Sequence, residues 1–186
     1  MAALISSAIM SLDGYIADAQ GNFDWAAPTE EVHAFVNQLE RSVGTYLYGR
    51  RMYDVMSYWE TAESEPGLPA PIQEYINIWH SADKIVYSRT LTEAQTARTR
   101  IERSFDASAV RALKASEIRD ISIAGPEIAA EALAADLIDE FHLFVKPILV
   151  GDGTAFFPHG SRLNLTLRDE HRFKDGTVHL HYLVRH

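Results

Sequence analysis

Three short segments of this chain carry residue types able to hold an anion. In Gly49-Arg50-Arg51 a glycine ends a β-prone run and two arginines open the next helical stretch. A helix N-terminus already carries about half a positive charge, so arginine there is electrostatically misplaced unless an anion lies against it. Backbone N–H groups and guanidinium together suit a phosphate; the alternative is a pair of solvated surface arginines. Ser88-Arg89-Thr90 repeats the pattern just past another β-prone run, with an ordinary polar turn as its alternative. In Gly125-Pro126 the glycine permits close approach of the backbone to a pyrophosphate and the proline pre-sets a helix. That pair is also a common helix start. Ligands of open α/β sheets bind beyond the C-terminal ends of strands, and two arginine-bearing turns there suit a doubly phosphorylated ligand.

Other reactive side chains point to less. His179 and His181 share one strand face, with His171 across a hairpin, and are expected to be a solvated or dimer-facing pair. No metal site is expected. Gly151-x-Gly153 lacks the helix that follows in a dinucleotide fingerprint and reads as a turn. Cysteine is absent, which excludes disulfides, a thiolate nucleophile, iron–sulfur ligation and cysteine-based zinc sites.

The elements that must position these residues follow from periodicity. Residues 4–11 read as a strand ending in the Asp13-Gly14 turn, and 15–17 as a brief extended stretch before a turn at Gln20-Gly21. Val32, Phe35, Val36, Leu39 and Val43 mark one helix face over 29–43, with Thr29 as its cap. A strand at 45–48 leads through Gly49 into a short helix to Met56. A loop over 60–71 precedes a helix with Pro71 in its first turn, carrying Ile72, Tyr75, Ile76 and Trp79. A strand over 84–88 follows; 92–104 alternates weakly and reads as a strand. Asp106 caps a helix to about Ala115, residues 120–124 form a strand, and an alanine-rich helix runs from Gly125-Pro126 to Ala135. The apolar run 141–150 reads as a central strand, and 163–173 with 177–185 as a hairpin around Lys174-Asp175-Gly176. Strands alternating with helices and then an antiparallel finish predict a mixed α/β sheet in a single domain over 1–186.

The 186 residues, 47% of them apolar, suffice for one buried core. A formal charge of −9 disfavours nucleic acid and anionic membranes as partners. No apolar run approaches the roughly 20 residues of a membrane span, and the N-terminus has no basic region before Asp13. A cytoplasmic enzyme acting on a small molecule is the expectation.

The ordered segments Ser-Leu-Asp-Gly-Tyr-Ile-Ala (11–17), Tyr-Gly-Arg-Arg-Met-Tyr (48–53), Val-Tyr-Ser-Arg-Thr (86–90), Ile-Ala-Gly-Pro-Glu (123–127) and Phe-His-Leu-Phe-Val-Lys-Pro-Ile-Leu-Val-Gly-Asp-Gly (141–153) support a family resemblance. Over nearly its whole length the chain resembles stand-alone reductases related to the C-terminal domain of the bifunctional riboflavin-biosynthesis deaminase–reductase, within the dihydrofolate reductase superfamily. The resemblance implies a three-layer α/β/α sandwich on a mixed, mostly parallel sheet. It implies NADPH as cofactor, with Arg50 and Arg51 on its 2′-phosphate, Ser88 and Arg89 sharing the adenosine end, and the Gly49 and Gly125-Pro126 turns along the phosphates. Ala8, Ile9 and Ile16 would line the nicotinamide. Met52 departs from the family's usual threonine, and a thioether does not bind phosphate. The segment Gly-Arg-Arg-Met-Tyr-Asp (49–54) also departs from the bifunctional enzymes' Gly-x-x-Thr-Val and following Asp-Pro pair. Their zinc deaminase half, typically bearing Pro-Cys-x-x-Cys, is expected to be absent.

For the substrate side, folate reductases carry a carboxylate on the first helix four residues before a phenylalanine, and Glu31 precedes Phe35 by that interval. If burial raises its pKa, Glu31 can supply the proton that accompanies hydride transfer; a favourable charge at the helix N-terminus is the plainer explanation. Asp13 is the alternative acid, although an Asp-Gly turn accounts for it. Asp24-Trp25 can roof a pocket or simply pack a loop. The expected reaction is hydride transfer from NADPH to a small heterocyclic or imine- or carbonyl-bearing substrate. Reduction of 5-amino-6-(5-phosphoribosylamino)uracil or of dihydrofolate are alternatives within the class, and a non-catalytic NADPH-binding sensor is the alternative outside it. Val178, Leu180, Tyr182 and Val184 alternate along the last strand, and the resemblance implies pairing through that end of the sheet, so a homodimer is expected.

Overall fold

In the computed structural model, which describes residues 1–62 and 67–185, ten strands and five α-helices occur among the described residues. The strands are β1 (Leu4–Ser11), β2 (Tyr15–Asp18), β3 (Val43–Gly49), β4 (Asp83–Tyr87), β5 (Thr99–Glu102), β6 (Asp120–Ala124), β7 (Glu140–Lys146), β8 (Gly153–Ala155), β9 (Leu165–Arg172) and β10 (Val178–Val184). The helices are α1 (Glu30–Glu40), α2 (Arg50–Met56), α3 (Ala70–Ser81), α4 (Ala107–Ser116) and α5 (Pro126–Ala134). Eight strands form one sheet in the order β5-β4-β3-β6-β1-β7-β10-β9. Pairs from β5 through β7 are parallel, whereas β7–β10 and β10–β9 are antiparallel. This is the dihydrofolate-reductase-like α/β fold.

Period-two alternation distributes side chains to the two layers of helices. On one face Leu4, Leu47, Ile85, Ile121, Ile123 and Leu143 pack with Val110 of α4 and Ile128 of α5. On the other, Tyr46, Tyr48 and Val86 meet Tyr53, Tyr75 and Trp79 of α2 and α3. Beneath α1, Val32, Phe144 and Phe173 form a smaller core with Phe35 against it.

The caps follow the sequence. The Thr29 hydroxyl accepts from Val32 N at 3.4 Å, and Asp106 accepts from Ser108 N at 2.8 Å. Part of the 60–71 loop lies outside the described residues.

Four expectations change. The first helix ends at Glu40, and Val43, read as part of its apolar face, opens β3 instead. The run 141–150 is a strand only over Glu140–Lys146, because Pro147 offers no N–H to continue the ladder. Residues 148–151 instead bond to the turn after β1, with Leu12 N donating to Ile148 O at 2.8 Å. In 92–104 only Thr99–Glu102 pairs. His179 is not solvated: it is 1% exposed, covered by Phe35 at a ring distance of 4.8 Å.

Candidate active site

At the C-terminal ends of the parallel strands, β3 and β6 finish side by side, with Tyr48 opposite Ala124. Gly49 and Gly125 follow at once and nearly touch. A Cβ on Gly125 would lie 3.1 Å from Gly49 N and 3.2 Å from its Cα, and Gly125 has a φ of +120°, which L side chains rarely adopt. These two bare backbones form the floor of a cleft of about 500 Å³. Above the floor, α5 starts with no side-chain cap, and Pro126 fills its first position. By helix geometry the N–H groups of Glu127 and Ile128 have no partner within the helix and face its N-terminal end.

The structure brings all three anion-directed segments into this one cleft. Gly49, Arg50, Arg51, Ser88 and Arg89 line it together with Gly125 and Pro126. Arg51 and Arg89 are exposed, whereas Arg50 pairs with Asp54 one turn along α2. Ser88 is buried and its hydroxyl is engaged, accepting from Leu91 N at 3.0 Å and from Thr90 N at 3.3 Å. It therefore shapes the turn that presents Arg89.

Sequence reasoning missed Arg103. Its Nη1 donates to Ser88 O at 3.1 Å and Leu91 O at 2.6 Å, clamping that turn while lining the cleft. The signal was an arginine directly after a strand, in the segment whose alternation was weakest. Tyr87 and Phe105, rings 5.4 Å apart, make an apolar wall. Burial pushes the Tyr87 phenol up to about 12, so it stays neutral. Glu127 and Glu131 line the α5 side and oppose the arginines in sign.

The remaining expected site residues lie elsewhere. Ala8 and Ile16 pack against the core under α4 and α5, whereas Ile9 packs against the cluster under α1. None of the three lines the arginine cleft. Glu31 is exposed, and its Oε2 accepts from Lys174 N at 3.3 Å. The helix face it shares with Phe35 does exist, but that face covers the β9–β10 hairpin, where Phe35 meets Phe173 and His179. Asp13 accepts from Gly151 N at 2.8 Å and Val150 N at 3.3 Å. A hydrogen bond from Ser11, with those backbone donors, holds its carboxyl below the usual range. Trp25 Nε1 donates to Asn22 O at 3.2 Å, inside its own loop.

The model of the RibD C-terminal domain family matches residues 2–180, and the chain belongs to that family. Membership supports a reductase of the pyridine-nucleotide-dependent kind. An uncharacterized protein of Bacillus subtilis (strain 168), YyaP, is 27% identical over 183 residues, covering 96% of this chain and 93% of that protein. A putative riboflavin biosynthesis protein from Shewanella sp. PV-4 is 25% identical with a TM-score of 0.75, covering 99% of both chains. A pyrimidine reductase-like protein from Corynebacterium diphtheriae shares the fold at a TM-score of 0.72 and 16% identity, covering 100% of this chain and 92% of that one. Among the described residues no helix is long and apolar enough to cross a membrane.

Proposed function

We propose that the protein is an NADPH-dependent reductase that transfers hydride to a small heterocyclic or imine- or carbonyl-bearing substrate. The observation that carries this reading is the convergence of the Gly49, Ser88 and Gly125 turns, with Arg50, Arg51, Arg89 and Arg103, on one cleft. The fit is physical. The glycine floor admits a phosphate against bare backbone, the uncapped α5 N-terminus favours an anion, and exposed Arg51 and Arg89 suit a terminal phosphate. Tyr87 and Phe105 offer an apolar wall to a purine ring.

NADPH would supply the hydride, and the chain's residues bind and orient it. Neither Glu31 nor Asp13 is assigned the accompanying proton: the first lies on the hairpin side, and the second is held ionised. Water is the proposed donor. One candidate reaction is reduction of 5-amino-6-(5-phosphoribosylamino)uracil, for which a bifunctional Thermotoga maritima protein of the same fold is named (TM-score 0.69, 57% of that chain covered).

We propose further that two copies pair through the β10 end of the sheet. Val178, Leu180, Tyr182 and Val184 are half-buried there, and Leu167 on β9 is 48% exposed.

The reading is tested by following NADPH oxidation against a panel of pyrimidines and pterins. Turnover with one member supports it. Tight NADPH binding with no turnover on any member would support a sensor instead.

A further inference from the structure

The opposite end of the sheet holds a second cavity, of about 250 Å³, between the C-terminal half of α1 and the starts of β1, β3, β6 and β7. We propose that this cavity binds a divalent first-row transition-metal ion of the zinc type through Glu140, His142 and His181.

The strand register builds the ligand set. Glu140 and His142 alternate onto the same face of β7, and β10 places His181 directly opposite His142, the two rings stacked at 4.1 Å. One ligand atom from each residue lies within 4.8 Å of the other two. Glu140 Oε2 is 2.8 Å from His181 Nε2 and 3.6 Å from His142 Nε2. Bonds of about 2.0–2.2 Å in a tetrahedral site separate ligand atoms by roughly 3.3–3.5 Å. The His142–Glu140 distance is already near that spacing, and the His181–Glu140 pair must open to reach it.

The surroundings favour a cation. Glu40, Asp120 and Glu140 line the cavity, and no lysine or arginine is among its lining residues. Glu40 is only 9% exposed and lines the cavity wall, with the Tyr46 hydroxyl beside its carboxyl. His142 also has the kind of second partner that metal-bound imidazoles use. His142 Nδ1 lies 3.0 Å from His179 Nε2, and in the tautomer that carries its proton on Nδ1 this contact leaves the Nε2 lone pair for the metal. Two imidazoles and one carboxylate suit zinc, and the three-residue set leaves a coordination position open towards the cavity.

The test uses the untagged full-length chain, stripped with a chelator and titrated with Zn²⁺ by calorimetry and with Co²⁺ by visible absorption. The expected result is one saturable equivalent, with a rise in melting temperature on adding Zn²⁺. His181→Gln and Glu140→Gln should each weaken binding by at least about tenfold and remove that rise. His179→Phe keeps a ring beside Phe35 and Phe144 and should weaken binding roughly 10–100-fold, whereas exposed His159→Gln should leave it unchanged. Should Glu140→Gln not fold, His181→Gln decides the matter. Absence of a saturable equivalent, or unaltered binding by His181→Gln, would overturn the proposal and leave a metal-free histidine–carboxylate network. Neither outcome bears on NADPH, which is read at the other end of the sheet.

Discussion

The two ends of the parallel strands are built from different materials. Where β3, β4 and β6 end, the chain exposes glycine backbone, arginine side chains and an uncapped helix. Where β1, β6 and β7 begin, it encloses carboxylates and imidazoles beneath α1. The first arrangement suits a large anion that arrives from solvent and leaves again. The second suits a small cation held among strands. The difference follows from the fold: helix N-termini gather at the strand ends, whereas the strand starts lie under helix C-termini such as that of α1.

Substituting Gly125 should break the contrast most severely. Gly125→Ala places a Cβ against the Gly49 backbone at a positive φ, so one of the two turns must move. The expected cost is on the order of 1–3 kcal/mol in stability together with loss of NADPH binding, read by denaturant unfolding and fluorescence titration. An alanine variant that binds as the parent does would show that the glycine floor is not the cofactor site.

The buried end should respond to acid. Burial lowers the His179 pKa from 6.5 to about 4, so between those values the unfolded chain binds more protons than the folded one. Stability from this residue is complete above about 6.5 and is lost as pH falls towards 4. His179→Phe should therefore flatten the stability profile across pH 4–6.5, measured by unfolding at several pH values without added metal. An unchanged slope would show that His179 is not kept neutral by its burial.

Association is expected through the β10–β9 side of the sheet. Light scattering at micromolar concentration should give twice the 20.9 kDa chain mass. A monomer mass would remove the β10 interface.

The smallest effect is expected at Glu31. Exposed, with its side chain accepting from Lys174 N, it should tolerate Glu31→Gln within about 0.5 kcal/mol in both stability and the barrier to turnover. A large drop in turnover that eases at low pH would restore it as the proton donor.

The sequence made the framework legible where local chemistry and periodicity agreed. Thr29, Asp106 and Gly125-Pro126 start helices where their types demand, and the Lys174-Asp175-Gly176 turn sits between β9 and β10. The arginine turns were visible because arginine at a helix start needs an explanation. Arg103 was hidden because its role depends on the carbonyls of Ser88 and Leu91, more than ten positions away in the chain. Glu31 misled because an i, i+4 pair fixes a helix face without saying what that face covers. The histidine cavity needed the β7–β10 register, which alternation alone does not supply.

The central claim is that the arginine-lined cleft recognises the 2′-phosphate of NADPH. The direct measurement is the dissociation constants of NADPH and NADH for the parent chain and for Arg51→Ala and Arg89→Ala. The parent should bind NADPH more tightly than NADH, with a loss of about 1.5–3 kcal/mol for NADPH in one or both variants and much less for NADH. Equal affinity of the parent for the two nucleotides would contradict the claim.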